Sequence, residues 1–192
     1  MRPVSLNLQK GDAIMRKFSL AGAFIVCIAC LVVAQAPPQM AKPGPEHKRL
    51  GYFTGRWQLE GETKPGPFGP GGKFTGIDHN DWMEGGFFLV SHSDFKSPMG
   101  DGTGLAVFGY NLEEKAYTYN AFNSMGEAEH AEGKVEGDTW TWTSNENMGG
   151  KAMRGRFTVK ESSPTSYTFK FEMAPDTGDF STIMEGKAIK TK

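Results

Sequence analysis

The sequence predicts an all-β domain, an antiparallel up-and-down β-barrel of about ten strands preceded by a short N-terminal helix. Three observations predict it. Glycine is abundant, with 25 in 192 residues, aromatics make up 12%, and no long apolar helical period is present. From residue 56 onward, apolar and polar residues alternate over short segments. Clusters of Gly, Pro, Asn and Asp separate those segments at regular spacing.

The first 36 residues are of a different kind. Met15-Arg16-Lys17 is a basic opening, Phe18 to Val33 is an apolar run broken only by Ser19 and Gly22, and Ala34-Gln35-Ala36 is a small-x-small site. This is the pattern of a secretory signal peptide over residues 1–36, with Met15 as an alternative start and Ala34 as an alternative cleavage position. The rival is an uncleaved membrane anchor, but the apolar run is at the short end of the ~20 residues a span needs. The expected location is therefore periplasmic or extracellular, with no stable membrane insertion after cleavage. Both cysteines, Cys27 and Cys30, fall inside this leader, so a disulfide framework and a thiolate metal site are excluded. No cofactor is expected. Without the leader the chain has 17 basic and 21 acidic residues, a net charge of −4. No basic stripe interleaves with aromatics, which removes nucleic acid as a partner.

Residues 37–45 form a Pro-rich spacer ahead of a barrel domain over 46–192. Pro45 suits a first helical turn, Glu46 complements the helix amino end, and Leu50 with Phe53 makes one apolar face. Gly55 stops the helix. The first strand is Arg56 to Lys64, with Trp57, Leu59 and Gly61 on one side. Lys64 to Gly72 is a Pro/Gly loop. Strands Lys73–Met83 and Phe87–Phe95 follow, joined at Gly85-Gly86, a good two-residue hairpin turn. Asp101-Gly102-Thr103-Gly104 reads as a break. The remaining strands are Leu105–Asn111, Ala116–Ser124, Glu127–Val135, Thr139–Thr143, Ala152–Lys160, Tyr167–Met173 and Phe180–Ile189. Tyr167, Phe169, Phe171 and Met173 against Thr168, Lys170 and Glu172 give the clearest alternation.

Four groups of residues resemble the bacterial DUF1579 family, whose function is unknown. They are His47-Lys48-Arg49-Leu50 with Gly55-Arg56-Trp57 and Gly61; Gly85-Gly86-Phe87-Phe88-Leu89-Val90; Gly109-Tyr110-Asn111 with Lys115-Ala116-Tyr117; and Asn123-Ser124-Met125. The resemblance covers roughly residues 45–190. It implies a barrel similar to the lipocalin and fatty-acid-binding-protein (calycin) superfamily, and no particular activity. In such barrels a Gly-x-Trp opens the first strand and the Trp closes the floor under a basic side chain from the last strand. Gly55 and Trp57 take that structural role here, with Lys187 or Lys190 as the cation. Two departures matter. Haem-binding nitrobindin-like barrels use a late histidine, whereas the last histidine here is His130. Fatty-acid binders use a late Arg-x-Tyr, and the last strand here has neither residue.

The hairpin at Gly85-Gly86 also sets a register. Glu84 opposes Phe87, paired positions sum to 171, and His79 lies across from His92. Asp81 and Asp94 share their side of the sheet. The other side carries Asp78, Asn80, Ser91 and Ser93 with Trp82, Phe87, Leu89 and Phe95, and has a claim to the interior by apolarity. The family pattern, in which position 87 is often charged, points the other way and turns His79 and His92 inward. We follow the family pattern, and expect His79 and His92 as polar residues of a ligand cavity, with Asn123 as a rim contact. Solvent-exposed histidines and a local Asn turn are the plain alternatives. Two opposed imidazoles can share a divalent metal, but one bulge destroys that pairing, and no metal site is expected. Ser93 faces away from His92 and Asp94 on a strand, so His92-Ser93-Asp94 is no triad. Phosphate-loop and hydrolase motifs are missing from the sequence.

The function expected from these features is non-catalytic binding of a small apolar or amphipathic ligand in the barrel. The alternatives are a hydrolase or isomerase using interior His and Asp, and a filled structural or interaction barrel with no ligand.

Overall fold

The computed structural model describes residues 42–67, 69–148 and 150–192. The predicted leader, with Met15, Cys27 and Cys30, and most of the Pro-rich spacer lie outside the described residues.

Helix α1 (Pro45–Arg49) runs into a 3-10 turn (Leu50–Phe53). Ten strands follow: β1 (Gly55–Thr63), β2 (Gly72–Trp82), β3 (Leu89–Ser97), β4 (Gly100–Asn111), β5 (Ala116–Asn123), β6 (Ala128–Glu136), β7 (Thr139–Met148), β8 (Lys151–Ser163), β9 (Ser166–Pro175) and β10 (Ser181–Thr191). Each pairs antiparallel with its neighbours in the chain, and β1 closes on β10. The result is a closed up-and-down barrel, which leaves no sheet edge open. Among the described residues no helix is long and apolar enough to cross a membrane.

Two segments differ from expectation. Residues 101–104 are not a break but the start of β4. Gly102 serves the strand: a Cβ on it would lie 2.5 Å from the Phe95 ring, so the missing side chain makes room for an aromatic across the ladder. β7 also runs five residues past Thr143, to Met148.

α1 and the 3-10 turn close one end of the barrel. His47, Leu50 and Phe53 are buried. His47 Nδ1 accepts from the Gly44 N–H at 3.2 Å, and its ring packs edge-on against Phe87 and Tyr110 at 5.1 and 5.8 Å. Arg49 bonds Glu161 at 2.5 Å and lies 4.9 Å over Trp140. Trp140 donates to the same carboxylate at 2.6 Å. The Tyr52 hydroxyl is 2.9 and 2.8 Å from the Ser163 and Ser166 carbonyls. A helix this short has no stability of its own; these contacts hold it.

The Phe53 carbonyl accepts from Trp57 Nε1 at 2.8 Å and Asn80 Nδ2 at 2.7 Å, which ties the plug to β1 and β2. Gly55, at φ +90°, makes the turn between plug and β1, a conformation L side chains avoid. Trp57 is fully buried, with Lys190 Nζ 5.4 Å over its ring. Lys190 is thus the cation of the floor. Lys187 points outward and pairs with Glu60 at 2.9 Å.

Candidate functional site

Because strand side chains alternate, closing the barrel puts one face of each strand inside. The turn from β2 into β3 is longer than the two residues expected: Met83 N–H donates to the Phe88 carbonyl at 2.9 Å and Gly86 N–H to the Met83 carbonyl at 3.0 Å, with Gly85 and Gly86 at φ +92° and +73°. The register is the expected one all the same, and His79 pairs with His92. The facing is the reverse of the expected one. Both imidazoles are exposed on the outer wall, and Arg56 Nη1 contacts His79 Nε2. The cause lies in β1: Trp57 pairs with Asp78 and Arg56 with His79. Once Trp57 is committed to the floor, Asp78 must face inward and His79 outward. The face with the apolarity claim is the interior one.

Asn123 closes the β5–β6 turn. Its side-chain oxygen accepts from the Met125 and Glu127 amides at 3.0 and 3.1 Å, and its amide donates to Glu127 at 2.6 Å. His92 and Asn123 border one groove on the outer wall. The structure does not bring His79, His92 or Asn123 to the interior cavity.

That cavity has a volume of about 390 Å³. Much of its wall is aromatic: Phe74 from β2, Phe108 from β4, Tyr119 from β5, Trp142 from β7, Phe157 from β8 and Tyr167 from β9. Its polar groups come from the β2–β3 hairpin and β6. Asp78 stands across from Ser93, Asn80 stands across from Ser91, and Glu129 enters from β6. An acid such as Glu129 ordinarily belongs on a solvated face. A signal was present in its own strand: Ala131, Gly133 and Val135 share its phase, and Gly133 pairs with Trp142.

Two buried polar atoms on this wall have no hydrogen-bond partner. They are Asn80 Oδ1 and Trp142 Nε1, in residues only 6% and 5% exposed. A buried polar group without a partner costs roughly 1–3 kcal/mol, so such atoms are uncommon. One is an acceptor and the other a donor, and both belong to residues of the cavity wall.

Burial also acts on the acids. Desolvation raises the Asp78 carboxyl above its ordinary value, and Ser93 across the ladder offsets part of that. Desolvation, then Glu146 and Glu127, push Glu129 up from 4.5 to about 7. Burial likewise raises Tyr119 and Tyr167, and the Asp78 charge adds to both.

A pH prediction follows from Glu129. Its folded-state value lies above its unfolded value, so the folded protein holds the proton more tightly between the two. Its contribution to stability is therefore intact below about pH 4.5 and lost as pH rises through about 7. Glu129→Gln should be more stable than the parent at pH 8, by on the order of 2 kcal/mol, and the gap should vanish at pH 4. Urea midpoints at the two pH values check this; a gap of equal size at both would show that the carboxyl is not raised.

Among the described residues no group of three or more His, Cys, Asp or Glu stands together as a metal site.

The solved structure of Rv2717c from M. tuberculosis superimposes with a TM-score of 0.55 at 11% identity, covering 78% of this chain and 99% of that one. The S-type phycobiliprotein lyase CPES from Guillardia theta matches with a TM-score of 0.50 at 9% identity, covering 77% and 93%. At these identities the likeness is one of fold, a closed antiparallel barrel. No curated protein matches the chain. The family model "Protein of unknown function (DUF1579)" matches residues 42–190, nearly the whole described barrel, and the chain belongs to that DUF1579 family.

Proposed function

We propose that the barrel is a non-catalytic binding protein that takes one small apolar or amphipathic molecule into its interior. The observation that carries this reading is the pair of partnerless atoms, Asn80 Oδ1 and Trp142 Nε1, on the wall of a cavity large enough for a ligand. A cavity of about 390 Å³ lies within the usual range for small-molecule sites, and a mostly apolar wall with a few convergent polar groups is their usual makeup. Ligand contacts are assigned to Asp78, Asn80, Ser91 and Trp142, in place of His79, His92 and Asn123. The phycobiliprotein lyase among the structural neighbours is compatible with ligand handling by a barrel of this shape.

With His79 and His92 on the outer wall, an acid–base enzyme loses the imidazoles that motivated it. A filled structural barrel is disfavoured by the cavity volume. The leader pattern supports action outside the cytoplasm, after removal of residues 1–36.

Native mass spectrometry of the mature protein, purified from its own cell envelope and then extracted with solvent, tests the reading. The expected result is a discrete extra mass that extracts as a small organic molecule. A clean apo mass, together with no uptake of a neutral apolar dye, would remove it. The same spectrum dates the cleavage: loss of the leader is expected after Ala36 or Ala34.

A further inference from the structure

The charged side chains that enter the cavity are of one sign. Asp78 and Glu129 are both acids, and among the described lining residues none is Lys, Arg or His. The partnerless acceptor Asn80 Oδ1 shares this wall. Asp78 sits close enough to Tyr119 and Tyr167 for its charge to act on both hydroxyls. The remaining wall offers aromatic faces, including Phe108, Tyr119 and Trp142, which stand near one another at 5.0 Å (Phe108–Tyr119) and 6.1 Å (Phe108–Trp142).

From this we infer that the cavity selects molecules carrying a basic nitrogen on an apolar body. The inference rests on the binding reading above and names the ligand class for that same site. A buried carboxylate without a cation is costly, and none is supplied by the wall. A protonated amine would supply it. Its N–H groups would donate to Asp78 or Glu129 in charge-assisted bonds and to the free Asn80 oxygen. The cation would also lie against ring faces, which attract positive charge. A carboxylate ligand would meet two acids and no cation, so the fatty-acid type of occupant is rejected by charge as well as by the missing Arg-x-Tyr.

The test uses three matched probes, a methoxynaphthalene bearing an ethylamine, an ethanol or an acetate side chain. Titration calorimetry and tryptophan fluorescence read binding to the mature protein. The amine is expected to bind about tenfold or more tighter than the alcohol, and the acetate weakest. In Asp78→Asn with Glu129→Gln the amine should lose its advantage and bind no tighter than the alcohol binds the same variant. The alcohol binding as tightly as the amine, or the acetate being preferred, would overturn the inference and leave the binding reading standing. An amine preference unchanged in the double variant would also overturn it, because the attraction would then lie on the acidic outer surface. No binding by any of the three, the neutral alcohol included, would take the binding reading down as well. The comparison among probes on the parent protein stands even if the double variant fails to fold.

Discussion

Trp57→Ala is expected to cost roughly 3–5 kcal/mol, lowering the melting temperature of a domain this size by about 10 °C. The ring is 0% exposed and stands at the junction of plug, floor and cavity. Its indole N–H donates to the Phe53 carbonyl at 2.8 Å, its face lies 4.9 Å from Tyr167 and 5.6 Å from Tyr52, and Lys190 covers it at 5.4 Å. Removal leaves a large void, a carbonyl with one donor fewer, and a lysine over nothing. Trp57→Phe separates the contributions: it keeps most of the apolar contact and loses the N–H, so roughly 1–2 kcal/mol is expected. Thermal and urea unfolding of both variants check this. A melting temperature within error of the parent for the alanine variant would show that the floor does not depend on this residue.

Glu161→Ala is expected to cost about 3 kcal/mol. One carboxylate oxygen accepts from Arg49 at 2.5 Å and from Trp140 Nε1 at 2.6 Å, and its side chain is only 16% exposed. Alanine would leave a fully buried indole N–H without an acceptor and a half-buried guanidinium without its anion. The asymmetry is the reason for the size: breaking one side of such a pair costs more than the pair contributes. Glu161→Gln keeps an acceptor for Trp140 and should lose about 1 kcal/mol. A double-mutant cycle with Arg49→Met should then return a coupling of about 1 kcal/mol or more. A loss under about 0.5 kcal/mol in Glu161→Ala would instead mark Arg49–Glu161 as an ordinary surface ion pair. The arginine belongs to α1, so a second readout is expected. Proteolysis between residues 42 and 53, the segment held down by this contact, should be faster in the alanine variant.

Much of the barrel was legible along the chain because strand period and turn chemistry are local. The Gly85-Gly86 signal specified the β2–β3 register, though not the length of the turn, and His79 opposite His92 followed from it. The alternation in 167–173 is local in the same way, and Tyr167 and Phe169 of its apolar set lie in the core. The floor role of Gly55 and Trp57 came from the family resemblance and not from the local pattern. Errors arose where local and distant demands conflict. Gly102 carries turn chemistry, yet it is a strand residue, because Phe95 occupies the space that a side chain on it would need. Such a demand comes from a neighbouring strand and is invisible in a window of ten residues.

The candidate site shows the same division more sharply. By itself the sequence determined which residues of the 72–97 hairpin stand opposite one another, and that Asp78, Asn80, Ser91 and Ser93 share a face. It did not determine which face is inside. That was decided by the pairing of β1 with β2, across a loop of Pro and Gly too long to carry a register, where Trp57 meets Asp78. It was decided again at Glu129, an acid whose exposure cannot be read from its own charge. Closure of β6 between β5 and β7 turns it into the cavity, where loss of water and two nearby acids raise its carboxyl. Side-chain period is a property of one strand, whereas inside and outside are properties of the closed sheet, and only the tertiary structure contains that closure.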